Sequence, residues 1–260
     1  MKRISCSVAL LTVALAFNTA QAQLAAKKGI TLEEVNKQIN ELAQKNNEES
    51  KTQLSAEAKA LVASKNEQFV SLGVRIYEYI GNDEAAEQAE KTIVKKFPKG
   101  IKARQAELDN IFKEDTSTEG TKAEKQYEAW LKKFTPSSFD AKQQSIYDQA
   151  KANMAIVFFQ ENNNAKGNEY VEQLKSSSNF PIYAASIAKV CLKNKQFAEA
   201  LPIVELGYNQ AAAAFLSSDP AVKKSNIAGR YISLAPLYAT ALAASNQPEK
   251  STQILEEFFT

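Results

Sequence analysis

Beyond the first two dozen residues, apolar positions recur at i, i+3 and i+4, and no run of period-two alternation is sustained. The pattern predicts helices throughout and no sheet. Thr31 followed by Glu34 has the form of a capping box opening a helix near Leu32. Ser55 precedes a long helical stretch reaching about Ile80, and Gly81-Asn82-Asp83 supplies a turn and an N-cap. The next helix is expected over Glu84 to Phe97, with Pro98 as its stop. Ile101 to Phe112 then carries Ile101, Leu108, Ile111 and Phe112, and Glu114 to Gly120 reads as a polar loop, the softest place for a domain boundary. Tyr127, Trp130, Leu131 and Phe134 form an apolar face ending at Pro136. The segments Lys95-Lys96-Phe97-Pro98 and Lys132-Lys133-Phe134-Thr135-Pro136 echo one another as helix ends.

A repeat runs through this helical pattern. Ala155, Phe158, Asn162, Gly167, Val171 and Leu174 correspond, at a constant offset of 33, to Ala188, Cys191, Lys195, Ala200, Val204 and Gly207. A third copy lies 51 residues further on, at Ala239, Leu242, Asn246, Ser251, Leu255 and Phe258. A fourth can be laid on Val74, Tyr77, Gly81, Ala86 and Ile93. Paired antiparallel helices approach closely only where small residues sit at their crossing. Ala155, Ala188 and Ala239 meet this need on first helices, and Ala86, Gly167, Ala200 and Ser251 on second helices.

This spacing of small residues resembles the tetratricopeptide repeat, and Asn194-Lys195-Gln196-Phe197-Ala198-Glu199-Ala200-Leu201 is its closest local match. The resemblance implies an all-α fold in which antiparallel helix pairs stack as a degenerate solenoid over residues 23–260, less regular at 100–138. It also implies a concave inner wall that binds extended peptides or helices. In that register Arg75, Tyr79, Phe159, Gln160, Lys189 and Lys193 face the wall. The family's turn glycine is kept at Gly81 but replaced by Asn162, Lys195 and Asn246, and the repeat length varies. A plain irregular helical array is the alternative.

The N-terminus changes the picture of where the chain works. Met1-Lys2-Arg3 is a positive start, Ile4 to Phe17 is fourteen uncharged residues, and Ala20-Gln21-Ala22 is a small-x-small cleavage site. Together they have the grammar of a secretory signal peptide over 1–22, which places the product in the periplasm or outside the cell. An uncleaved N-terminal anchor is the alternative. Cleavage removes Lys2 and Arg3, so 32 basic residues fall to 30 against 30 acids. A neutral chain without clustered basic residues argues against nucleic-acid binding; it has no polybasic tail for anionic lipids, and no stable membrane insertion is expected once the leader is cleaved.

Chemistry is sparse. The chain has no histidine, the commonest general base and metal ligand, and only eight glycines, with no phosphate-cradling motif. No catalytic, cofactor-binding or metal site is expected, although a histidine-free hydrolase using carboxylates is a reading from another class. Cys191 remains as the single thiol after cleavage, either a buried apolar filler or a redox thiol awaiting a partner. Trp130, the only tryptophan, sits at helical spacing with Tyr127 and Phe134 and is expected in the core.

Ile254, Leu255, Phe258 and Phe259 give the last helix an apolar face, whereas repeat arrays normally end on a polar cap. The face folds back onto its own repeat, meets another chain, or belongs to the front portion of a longer gene product. The leader, the Lys-Lys-Phe-Pro type ends and the degenerate pairs also resemble the N-terminal helical region of periplasmic thioredoxin-like disulfide reductases. The redox domain of that family, with its Cys-x-x-Cys, has no counterpart here. The leading expectation is an exported helical scaffold that binds a protein or peptide partner. The alternative is the helical module of such a reductase, its chemistry lying on absent sequence.

Overall fold

The structure, a computed structural model, describes residues 30–113, 119–140 and 143–259, with side chains to residue 257. The expected leader lies outside these residues. Among them the chain is all-α, with thirteen α-helices, one short 3₁₀ turn and no strand. The described residues divide into two compact units, one up to residue 104 and the other from residue 105.

The first unit contains α1 (Leu32–Lys45), α2 (Glu48–Val62), α3 (Glu67–Tyr79), α4 (Asp83–Lys96) and the first turn of α5 (Ile101–Ile111). The Thr31 side chain accepts from the Glu34 amide at 3.2 Å, and the Glu34 carboxylate accepts from the Thr31 amide at 2.8 Å, closing the expected capping box. That amide hydrogen bond holds the Glu34 carboxyl below the usual carboxylate range. The single helix expected to reach Ile80 is two helices instead. Residues 63–66 break it, and the Asn66 side chain caps α3 by accepting from the Gln68 amide at 2.9 Å. The break lets α3 fold back against α2, where Gly73 lies on it. A Cβ at Gly73 would come within 2.9 Å of the Ala58 carbonyl oxygen, so only glycine allows this approach.

The N-terminus of α5 is capped from far along the chain. The Glu67 carboxylate accepts from the amides of Ile101 and Lys102, each at 2.8 Å. Negative charge there satisfies orphan donors and complements the helix dipole.

The second unit holds the rest of α5, α6 (Gly120–Lys133), α7 (Ser145–Gln160), α8 (Asn164–Glu172), α9 (Phe180–Lys193), α10 (Phe197–Phe215), the short α11 (Pro220–Lys223), α12 (Asn226–Ala244) and α13 (Pro248–Phe259). α7 pairs with α8, α9 with α10, and α12 with α13; α9 also packs on both α7 and α12, and α10 packs on α12. The expected face of Tyr127, Trp130 and Phe134 is buried. The two Lys-Lys-Phe segments end their helices alike. Phe97 and Phe134 are both C-caps with φ near −120°, each donating its amide to the carbonyl four residues back at 2.8 Å. The lysine before each ring lies over it, Lys96 at 5.8 Å and Lys133 at 5.1 Å from the centroid.

Four hairpins, one in the first unit and three in the second, close through the same turn. Gly81 has φ +74°, and Asn162, Lys195 and Asn246 each have φ +60°. In each, the amide of the following residue reaches back to the carbonyl five residues earlier. Asn82 donates to Tyr77, Asn163 to Phe158, Gln196 to Cys191 and Gln247 to Leu242, all at 2.8–2.9 Å. This is the Schellman motif, which needs one left-handed residue after the helix. The sequence departs from glycine at three of these positions, and the backbone does not.

Candidate functional site

The small residues of the repeat lie at the helix contacts. Ala155, Ala188 and Ala200 are wholly buried, and Ala86, Gly167, Ala239 and Ser251 are buried as well. A Cβ on Gly167 would sit 2.8 Å from the Phe159 ring, and one on Gly207 would sit 2.6 Å from the Ala184 Cβ. The Ser251 hydroxyl donates to the Ala239 carbonyl at 2.8 Å, tying α13 to α12. Cys191 is fully buried, and burial pushes its thiol up to about 12.

Of the residues expected on an inner wall, Arg75 and Tyr79 are exposed in the first unit, and Gln160, Lys189 and Lys193 are exposed in the second. Tyr79 donates its hydroxyl to the Ala43 carbonyl at 3.2 Å, which fixes it over the end of α1. Phe159 is a correction: it is wholly buried and faces no solvent. α7 is packed against α6, α8 and α9, so both Phe158 and Phe159 are enclosed. The Phe159 ring fills the space that glycine leaves at position 167. Its carbonyl accepts from the side chains of Asn194 at 3.1 Å and Gln196 at 2.9 Å, binding the third hairpin turn to the second. Gln160 and Lys193 thus sit on adjoining helix ends. Ile254 and Leu255 are half-buried on α13, and the side chains of Phe258 and Phe259 lie outside the described residues.

The second unit also contains a cleft that the repeat pattern does not announce. Its volume is about 490 Å³, and Tyr127, Leu131, Pro136, Tyr147, Lys151 and Tyr170 are among its walls. Three tyrosines from three helices meet there because their rings pack together. Tyr127 stacks on Trp130 at 6.0 Å, Trp130 tilts against Tyr147 at 5.2 Å, and Tyr127 meets Tyr170 edge-on at 6.2 Å. Two hydroxyls are committed: Tyr147 donates to the Phe134 carbonyl at 2.9 Å, and Tyr170 donates to Glu124 at 3.0 Å. The Tyr127 hydroxyl bonds to no described residue. Burial, helped by the nearby Asp148 charge, pushes Tyr127 up to about 12, so it remains a neutral donor at every physiological pH. Burial and the Glu124 carboxylate likewise push Tyr170 upward. Asp148 accepts from Ser177 at 2.7 Å and pairs with Lys151 at 3.5 Å on the cleft's edge.

The cleft therefore offers aromatic walls, one uncommitted hydroxyl and a charged rim. Such a site can hold an apolar or aromatic side chain while hydrogen-bonding a neighbouring main-chain carbonyl. Among the described residues, no group of three His, Cys, Asp or Glu side chains is arranged to hold a metal ion. No helix among them is long and apolar enough to cross a membrane. No protein-family model, characterised protein or solved structure matches the chain.

Proposed function

We propose that the chain is an exported, tetratricopeptide-like helical protein that docks a protein or peptide partner through its second unit and has no catalytic site of its own. The observation that carries this reading is the recurrence of four hairpins closed by one left-handed turn, three of them in the second unit. Repeated hairpins present side chains at regular spacing along a surface, a geometry suited to extended or helical partners. The tyrosine-lined cleft adds a receptacle for one side chain of the partner, and Gln160, Lys189 and Lys193 add polar contacts on exposed helix surface. Export rests on the leader grammar of residues 1–22.

Photo-crosslinking in living cells tests the reading. A crosslinking residue placed at Gln173, on the cleft, is expected to give discrete adducts with a partner, and one at Lys91 on α4 to give none. Charge reversal at both Lys189 and Lys193 is expected to weaken capture without lowering the melting temperature. Unchanged capture removes those two lysines from the site; equal, diffuse labelling at both crosslinking positions overturns the docking role.

A further inference from the structure

Among the described residues, five large apolar side chains stand exposed, and four of them fall within residues 215–232: Phe215, Leu216, Val222 and Ile232. Leu216 is 78% exposed and Ile232 is 57% exposed. They come from the end of α10, from α11 and from the start of α12, which are held together. Phe215 stacks on Tyr231 at 5.1 Å, and α11 packs on both longer helices.

Helix length explains why this region protrudes. α10 has 19 residues, whereas its hairpin partner α9 has 14. The hairpin turn joins α9 to the start of α10, so the surplus lies at the far end, which α11 connects to the start of α12. At 1.5 Å per residue, five surplus residues overhang by about 8 Å. The tyrosine-lined cleft includes none of these residues.

Charge at this tip is mainly positive. Lys223, Lys224 and Arg230 form no ion pair among the described residues. The segment's one acid, Asp219, is occupied as the cap of α11, accepting from the Ala221 amide at 2.8 Å. Glu257 acts electrostatically on Tyr208, whose hydroxyl bonds to that of Tyr231 at 3.2 Å, so a carboxylate lies beside the tip as well.

We propose that this tip is a docking surface for an anionic lipid membrane. Exposed apolar side chains on a tip of helix ends can enter the boundary between headgroups and acyl chains, where interfacial elements bury some 5–10 Å. The unpaired cations then lie at headgroup level, where anionic lipid attracts them. A groove would favour a peptide; an overhang that sets cations beside its exposed apolar residues favours a bilayer.

Vesicle sedimentation with the purified chain tests the proposal. Phosphatidylcholine vesicles containing about 30% phosphatidylglycerol are expected to sediment the chain, with binding at least roughly fivefold stronger than to pure phosphatidylcholine. Raising the salt to about 0.5 M is expected to weaken it, as screening requires. Leu216→Asp with Ile232→Asp, and separately Lys223→Glu with Lys224→Glu, should each abolish most of the binding while circular dichroism stays unchanged; Lys132→Glu, on α6, should leave it intact. Equal binding to both vesicle types, no binding to either, or undiminished binding by both tip variants overturns the proposal. So does a concentration-dependent dimer, without vesicle binding, that the tip substitutions dissociate, since the surface then belongs to a second copy.

Discussion

Two glycines in long helices show how context decides the sign of one substitution. Glycine costs about 1 kcal/mol relative to alanine in a helix interior. A Cβ at Gly229 of α12 would meet nothing within 4 Å, so Gly229→Ala is expected to stabilise by about 0.5–1 kcal/mol. At Gly207 the new Cβ would meet the Ala184 Cβ at 2.6 Å, and neither atom can rotate away. There overpacking, at about 1–3 kcal/mol, exceeds the propensity gain, so Gly207→Ala is expected to destabilise. Chemical denaturation of the two variants checks both signs. Lys195 has an exposed side chain and φ +60°, so Lys195→Gly relieves left-handed strain and is expected to stabilise by roughly 1 kcal/mol.

Cys191 makes a pH-dependent prediction. Its thiol ionises near 9 in a free chain and at about 12 in the fold, so the folded state keeps a proton that the unfolded chain loses. The stability this contributes is fully present below pH 9 and declines as pH rises towards 12. Tyr127, raised from 10 to about 12, adds to the loss above pH 10. Denaturation between pH 8 and 10 is therefore expected to show falling stability, and Cys191→Ala to flatten the decline below pH 10. The native thiol is expected to resist a thiol-labelling reagent at pH 8 and to react only on unfolding.

Helix ends are where the elements are best defined. Removing the carboxylate in Glu67→Ala leaves the amides of Ile101 and Lys102 without their partner, and is expected to cost about 1–2 kcal/mol and fray the start of α5. Faster amide exchange at those two residues checks it. The ends also show what could be read from the chain alone. The Thr31–Glu34 box is local, so four residues suffice to foresee it. The Glu67 cap joins residues 34 positions apart, and no window of sequence contains it. The break at 63–66 is not legible in the pattern because helix-forming residues surround it, and the approach of Gly73 to Ala58 exists only once α3 has folded back.

At the scale of the molecule, the 33-residue offset located the turns and crossings because each hairpin repeats one local problem: close two rods and reverse the chain. The offset could not say which α7 residues stay exposed. Phe159 has the spacing of a surface position, yet three neighbouring helices enclose α7. Nor could it find the cleft, since Tyr127, Tyr147 and Tyr170 lie on three separate helices and meet only through ring packing. The length of α10 is recorded in the sequence as part of the shift from 33 to 51, but only pairing against the shorter α9 turns its end into a tip.

Four hairpins share one left-handed closure, and the proposed docking surface depends on it. Native-state amide exchange, resolved by residue, tests it most directly at Asn82, Asn163, Gln196 and Gln247, whose amides all donate across the turn. All four are expected to exchange far more slowly than free-chain rates. Free-chain exchange at Gln196 and Gln247 in an otherwise protected protein would contradict the shared turn and the repeat with it.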